Sequence, residues 1–344
     1  MYKVGIVGLG NIAHAYSKPE DPYPYCHAGG AKLSKRVKVT AVADLDAGRR
    51  EEYNKLWGPA KLYDDGQKMF EQEDLDIIAI CVRGPLHEKI TLAALKSSGA
   101  KVIFLEKPAG CSLKEVDNIH KAAAKKGVLV VVSHSRHWGP HVLRMAELIE
   151  DGLVGDVQTV IGYCQGGPLS FSVHEIDMIC QFAGYNPISV AASTGPSTKE
   201  EKIPNGYEQE PVVLGAVIRY KSGVTGVHVG GGTSSAGAFC VDVFGSNGRA
   251  FVPFYGVPKV WTGKGKEEKA VDIATLNMPE KASPFLVAYE QIADYLDTGK
   301  MPDCGPEMYR PVNEIAFGMI ESGIRGETIP LPCKKRYRLI FANG

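Results

Sequence analysis

The stretch Lys3 to His14, KVGIVGLGNIAH, constrains the fold more than any other part of the chain. A short apolar run, Val4 to Val7, turns through Gly8-Leu9-Gly10 and opens a helical segment at Asn11. This is the G-x-G-x-x-A pattern, in which each small residue has a physical task. Gly8 permits the tight strand-to-helix turn, Gly10 lets the backbone approach a pyrophosphate, and Ala13 lets the helix pack closely on the strand. Phosphates would then sit on free N–H groups at the positive end of the helix. Gly8, Gly10, Asn11 and Ile12 are therefore candidate dinucleotide contacts. Taken alone the pattern is weak, because glycines punctuate many turns. It gains weight from the order of strands and charged strand ends over the next hundred or so residues.

Strand and helix character alternate after it. The stretch Ser17 to Arg36 interrupts, with Pro19, Pro22, Pro24 and the pair Gly29-Gly30. Its prolines exclude one regular helix. It reads either as a loop at the mouth of the site, carrying Tyr23, Tyr25 and His27 inward, or as a surface insertion without a chemical task. The next strand, Val37 to Ala43, ends in Asp44, an acceptor suited to a ribose 2′-hydroxyl and repulsive to a 2′-phosphate. NAD is favoured over NADP, although Arg49 and Arg50 follow in the next helix. The run Asp76 to Val82 is continuously apolar after its first residue, as expected of a parallel strand buried on both faces, and leads into Arg83-Gly84-Pro85-Leu86-His87. Lys101 to Leu105 is another such strand, closed by Glu106-Lys107-Pro108. Ligands of open parallel sheets bind outside the carboxyl ends of the strands. Arg83, His87, Glu106 and Lys107 are therefore cofactor candidates, and Lys107 points to where a nicotinamide ring would be.

A sixth strand, Val128 to Ser133, precedes Ser135-Arg136-His137-Trp138-Gly139-Pro140, and the character of the chain then changes. Longer β-type runs appear (158–163, 212–220, 223–230, 238–244 and 250–255), with one helix at 173–182 and closing helices near 284–296 and 307–325. Such runs suggest a mostly antiparallel sheet. The expected division is a dinucleotide-binding domain over residues 1–137 and a substrate-binding and oligomerisation domain over residues 138–344, with C-terminal helices able to pack back on the first.

Composition narrows the class of partner. Lys+Arg and Asp+Glu are equal at 39 each, so no global field favours nucleic acid or an anionic membrane surface. No apolar stretch approaches the roughly 20 residues that span a bilayer, and no secretory h-region precedes the first strand. A soluble, cytoplasmic protein with a small-molecule partner is expected. The eight cysteines form no C-x-x-C pair and no zinc-like spacing, so no metal site is expected. The glycine run 230–232 with Thr233, Ser234 and Ser235 lacks the Lys-Ser/Thr of a phosphate loop, and reads as a substrate or subunit loop.

Several segments together resemble the Gfo/Idh/MocA oxidoreductases: GLGNIA, Asp44 after the second strand, EKP at Glu106 to Pro108, SRHWGP followed by LIEDGLVGDVQTV, HEID at His174 to Asp177, and FGSNG at Phe244 to Gly248. The resemblance covers nearly the whole chain. It implies an α/β protein with an N-terminal Rossmann domain and a C-terminal α/β domain built on a mostly antiparallel open-faced sheet. That sheet would support a dimer or tetramer and hold a sugar, inositol or related polyol over the nicotinamide. The family's EKP lysine maps onto Lys107 and its H-x-x-D histidine onto His174. Two departures stand out. Ser170 occupies a position where the family often has an acidic residue, and Val82-Arg83 replaces its Thr-Pro.

Oxidising a carbinol requires a group that takes the hydroxyl proton while hydride leaves the same carbon. A neutral imidazole suits this at physiological pH, so His174 is the expected general base. Lys107 would orient the hydroxyl and stabilise developing alkoxide, or serve as the base itself if burial and a cationic neighbour lower its pKa. Arg136, His137, Trp138, Tyr163, Gln165 and Ser170 are candidate substrate contacts. The reading is an NAD-dependent dehydrogenase, or a redox-neutral enzyme with tightly held NAD, acting on a CH–OH group. The alternative is a non-catalytic dinucleotide-binding sensor of the same fold, motivated by Ser170.

Overall fold

The structure, a computed structural model, describes residues 1–195, 202–230 and 239–342. The glycine-rich run 230–235 therefore lies almost wholly outside the described residues. The first half of the chain forms β1 (Tyr2–Val7), α1 (His27–Leu33), β2 (Val37–Ala43), α2 (Ala47–Trp57), β3 (Lys61–Tyr63), α3 (Gly66–Gln72), β4 (Ile77–Ile80), α4 (His87–Ser97), β5 (Val102–Glu106), α5 (Leu113–Lys126) and β6 (Leu129–Ser133). All pairs in this sheet are parallel. Its order, β3-β2-β1-β4-β5-β6, is that of a doubly wound dinucleotide-binding sheet, with the reversal of direction beside β1. The apolar runs of β4, β5 and β6 are buried at every residue, because helices cover both faces. Local signals start and stop those helices. Asp46 and Ser112 cap α2 and α5 by accepting from the backbone N–H of Arg49 and Glu115, and Gly127 ends α5 in the left-handed conformation.

The second half contains α6 (Pro140–Glu150), β7 (Val157–Tyr163), α7 (Val173–Ala183), β8 (Pro187–Gly195), β9 (Glu208–Gln209), β10 (Val212–Tyr220), β11 (Thr225–Val229), β12 (Cys240–Gly245), β13 (Gly248–Pro253), β14 (Lys259–Thr262), β15 (Lys269–Ala270), α8 (Pro284–Thr298), α9 (Pro306–Arg325), β16 (Ile329–Pro330) and β17 (Ile340–Phe341). Nine strands form one sheet in the order β15-β14-β13-β12-β7-β11-β10-β8-β16. It is mostly antiparallel, with β7 and β11 paired in parallel. β8 and β14 are strands that their weak apolar patterns do not announce. α7 and α9 pack on one face of this sheet, and their apolar residues share a core with Val160, Val190 and Val243. α8 turns back to the first sheet, where Phe285, Tyr289 and Ile292 join the core of Val4, Ile6 and Phe104.

Two local expectations change. The helix opened by the glycine loop is a single turn of π character, Asn11–Ala15. The Pro-rich interruption is exposed or half-buried over most of 18–23 and buried over 26–31, because its prolines stop before Cys26 and leave room for α1, capped by the Cys26 sulfur. Among the described residues, no helix is long and apolar enough to cross a membrane.

Candidate active site

One cleft of about 1460 Å³ runs from the glycine loop to the start of α7, with walls from both halves of the chain. At one end Gly8 makes the turn after β1 with φ of +86°, and a Cβ there would lie 2.8 Å from the carbonyl of Cys81, so only glycine fits. A Cβ on Gly10 would meet nothing within 4 Å, which leaves its backbone open to the cleft. Asn11 and Ile12 also line the cleft, and the first-turn N–H groups of a helix lack acceptors within it. Open backbone donors beside a glycine turn fit a pyrophosphate. Asp44, at the end of β2, accepts from the backbone N–H of Leu9 at 2.7 Å and of Asp46 at 2.9 Å. Its carboxylate is thereby fixed against the loop while retaining lone pairs for hydroxyl donors. Asp64, Asp65 and Arg49 line the same end, and Arg83 lies at the end of β4.

Glu106 and Lys107 stand in the middle, at the carboxyl end of β5. The Glu106 carboxylate is 3.0 Å from Nε2 of His27, which the interruption delivers through α1. Burial is the largest influence on the Glu106 carboxyl and acts to raise its pKa, but the interactions with His27, Ser133 and Lys107 together outweigh it and the carboxyl titrates below its usual range. Lys107 Nζ donates to the carbonyl of Ser170 at 2.7 Å, tying the end of β5 to the loop before α7. His174, in the first turn of α7, is 2% exposed yet lines the cleft. Burial first, then the charges of Arg136 and Lys107, hold its pKa well below the ordinary imidazole value. The ring is therefore neutral at physiological pH, and its Nδ1 is buried with no hydrogen-bond partner among the described residues.

A carboxylate not singled out in the sequence also enters. Glu210, just before β10, accepts from the backbone N–H of Leu169 at 2.5 Å, the N–H of Ser170 at 2.9 Å and the Ser170 hydroxyl at 2.5 Å. A Cβ on Gly167 would lie 2.2 Å from the Glu210 carboxyl carbon, so the glycine makes space for it. An acid thus reaches Ser170 from a segment 40 residues away. Burial raises the Glu210 pKa, and the bonds from the loop and the charge of Lys107 oppose the rise.

Arg136 and Ser170 line the cleft, whereas five other candidates do not. His87 is buried, with its ring nitrogens 2.6 Å from the Pro108 carbonyl and 2.8 Å from the Val82 carbonyl. It braces the ends of β4 and β5 from behind instead of touching a cofactor. The His137 ring bonds Asp177 at 2.9 Å, turned away from the cleft. Trp138 is 1% exposed and donates to Gln291. Tyr163 lies on the sheet face opposite α7, where its hydroxyl donates to Asp242. Gln165 is exposed, away from the cleft walls. The alternation at Arg136-His137-Trp138 is one that sequence alone does not reveal: a tight bend after β6 sends consecutive side chains in different directions. Although the sequence has no metal-ligand spacing, the fold does gather His137, Asp177 and Cys304, with potential ligand atoms within 4.8 Å of one another. All three are buried and already occupied with one another's polar atoms.

Residues 2–134 match the sequence profile of the Gfo/Idh/MocA oxidoreductase family, described as an NAD-binding Rossmann fold. The match spans the six-stranded sheet and its helices. Among curated proteins, the chain is 25% identical over 264 residues to a myo-inositol 2-dehydrogenase of Thermotoga maritima, covering 72% of this chain and 74% of that enzyme. It is 32% identical over 90 residues to a galactose/lactose metabolism regulatory protein of Saccharomyces cerevisiae, covering 25% of this chain and 21% of that protein. Among solved structures, a levoglucosan dehydrogenase in complex with NADH and levoglucosan superposes with a TM-score of 0.79 at 16% identity, covering 96% of this chain and 99% of that one. At that identity the likeness establishes the fold of both halves together. Gly8, Gly10 and Asp44 all lie within the matched residues.

Proposed function

We propose that the protein transfers hydride between a carbinol of a sugar, inositol or related polyol and NAD. The observation that carries the reading is one continuous cleft, lined at one end by Gly10 and Asp44, in the middle by Lys107 and beyond it by His174. A bound nicotinamide supplies the hydride acceptor. The chain's own residues then have distinct tasks. Neutral His174 takes the hydroxyl proton as the C–H electron pair leaves the same carbon. Lys107, anchored on the Ser170 carbonyl, orients the hydroxyl and stabilises negative charge on its oxygen. Proton-transfer catalysis of this kind contributes roughly 10²- to 10⁴-fold in rate. Asp44, with Asp64 and Asp65 beside it, disfavours a 2′-phosphate, so NAD is the preferred cofactor. Arg49 Nη1, 3.8 Å from the Asp44 carboxylate, is largely exposed and screened, and does not reverse that balance. The open face of the nine-stranded sheet is the surface for a homo-oligomer.

The partial likeness to a regulatory protein keeps a second reading in view, a sensor that binds the dinucleotide without turnover. A panel of sugars, inositols and their oxidised forms, followed by the absorbance of reduced nicotinamide and by product analysis for redox-neutral cycles, separates the two. The enzyme reading expects at least one substrate to turn over and a Lys107→Ala, His174→Ala double variant to be inactive while still binding NAD. Equal behaviour of wild type and double variant on every substrate would establish the sensor.

A further inference from the structure

Arg136 follows β6 and lines the cleft in the same region as Lys107 and His174. Its guanidinium is stacked over three rings, with its central carbon 4.0 Å from the ring centre of Phe239, 5.5 Å from that of Tyr25 and 5.7 Å from that of Phe254. Aromatic faces stabilise a cation and hold its plane, yet they accept no conventional hydrogen bonds. The polar contacts of the group are few. Nη1 donates to the Ser135 hydroxyl at 3.4 Å, and Nε is buried with no acceptor among the described residues. Among the described residues no carboxylate forms an ion pair with it.

The neighbouring carboxylates are committed elsewhere. Glu106 holds His27, Glu210 holds the Ser170 loop, and Asp177 holds His137. Lys107 adds a second positive charge on the same wall, and His174 adds none, because Arg136 and burial keep it neutral. Lys281 lies at the mouth, 4.9 Å from the Tyr23 ring centre. This part of the cleft therefore holds a guanidinium that pairs with no carboxylate among the described residues and whose fork is largely unused. A guanidinium is always charged and planar, and its paired N–H groups match the two oxygens of a carboxylate.

We infer that the substrate is an acidic sugar or polyol whose carboxylate is held by Arg136, which places a neighbouring carbinol at Lys107 and His174. The inference rests on the proposed dehydrogenase reading and narrows its substrate class. A carboxylate fits better than a phosphate, because a single planar fork walled by aromatic rings offers too few donors for three phosphate oxygens.

The test uses the full-length protein with matched ligands: glucuronate against glucose, galacturonate against galactose, the methyl ester of each uronate, and the hexose 6-phosphates. Binding to the protein–NADH complex is measured by calorimetry, and turnover is measured with NAD. The acid of at least one pair should bind roughly tenfold to hundredfold more tightly than its neutral partner and its ester. Arg136→Met, which keeps the apolar stem, should remove that preference while leaving NADH affinity unchanged. Arg136→Lys, which keeps charge without the fork, should retain part of it and guards against a misfolded methionine variant. Neutral ligands bound as well as acids, phosphates preferred over carboxylates, no binding by any acid, or a preference indifferent to both Arg136 variants would each overturn the inference. Arg136-dependent binding of acids without turnover would overturn only the dehydrogenase reading.

Discussion

His174 meets the cleft as a neutral ring hemmed in by Arg136 and Lys107, and its setting governs how activity responds to acid. A base must be deprotonated to act, and the folded-state pKa of His174 lies well below 6.5. The acid limb of kcat/KM should therefore fall well below pH 6.5, where an unperturbed imidazole would already have lost half its activity. Arg136→Met removes the largest charge opposing protonation, so the limb should move up toward 6.5; a limb unmoved by that change would remove His174 as the titrating base. Stability follows the same sign. The unfolded chain binds more protons below 6.5, so the His174 contribution is lost as pH falls from there toward the folded value. Glu210 acts on the same site from the other side. Glu210→Gln keeps an acceptor for the Leu169 and Ser170 N–H groups, reverses the contact with the Ser170 hydroxyl so that an amide NH2 donates to it, and removes the charge near Lys107. It should lower kcat by about tenfold, the scale of 1–2 kcal/mol for one charge-assisted contact, with little change in melting temperature. Glu210→Ala should also loosen the Ser170 loop and raise KM. Equal kinetics in wild type and both variants would leave Glu210 a structural brace.

At the scale of elements, the Pro-rich interruption matters most. Its irregularity is legible in sequence, because prolines exclude a long helix, but its destination is not. Nothing local tells that seven residues after Cys26 form a helix whose first residue, His27, is 0% exposed and bonded to both Glu106 and Tyr289. Removing the imidazole leaves Glu106 a buried carboxylate without its partner, an arrangement that costs about 3–5 kcal/mol. His27→Ala should lose that much in urea unfolding, and His27→Gln, which can still donate to the carboxylate, distinctly less. Equal losses would mean that packing against Phe104 and Phe285, and not the bond, is what His27 supplies. The same contrast explains what the sequence discloses elsewhere. β4, β5 and β6 are readable because strands buried on both faces are continuously apolar, and Lys107 is readable because it ends one of them. Glu210 is not, because its partner loop lies 40 residues away along the chain, and a lone acid before a strand carries no local mark of that meeting. His87 misleads for a related reason: its place after β4 is right for a cofactor contact, and only the chain's turn into α4 sends the ring behind the strands.

At the scale of the whole molecule, the nine-stranded sheet is covered by the described residues on one face only. On β7, Val160 and Gly162 face α7, with Gly162 lying directly against Glu175, so Ile161 and Tyr163 must face the other way. β10 and β11 repeat the pattern. Ile218 pairs with Gly226 and Ala216 with His228 on the helix side, while Val217 pairs with Val227 on the open side. Val217, Leu214 and Val229 are 41%, 45% and 41% exposed. A sheet face with apolar side chains at successive strands is unusual for a surface that stays in water. Its strands are interior to the sheet, so edge pairing does not account for it, whereas face-to-face packing with a second copy would. Such a contact is symmetric, so one substitution acts on both sides at once. Val217→Lys places two charges in the buried centre of that contact, and dissociation should become favoured by about 2–4 kcal/mol, enough to turn an oligomer into a monomer at micromolar concentration. Sedimentation velocity should show wild type as a dimer or tetramer and Val217→Lys as a monomer with unchanged far-ultraviolet circular dichroism. Arg219→Glu on the same strand, already exposed and polar, should change the distribution far less. A monomeric wild type, or a Val217→Lys protein that sediments like it, would mean that the open face meets something other than a second copy.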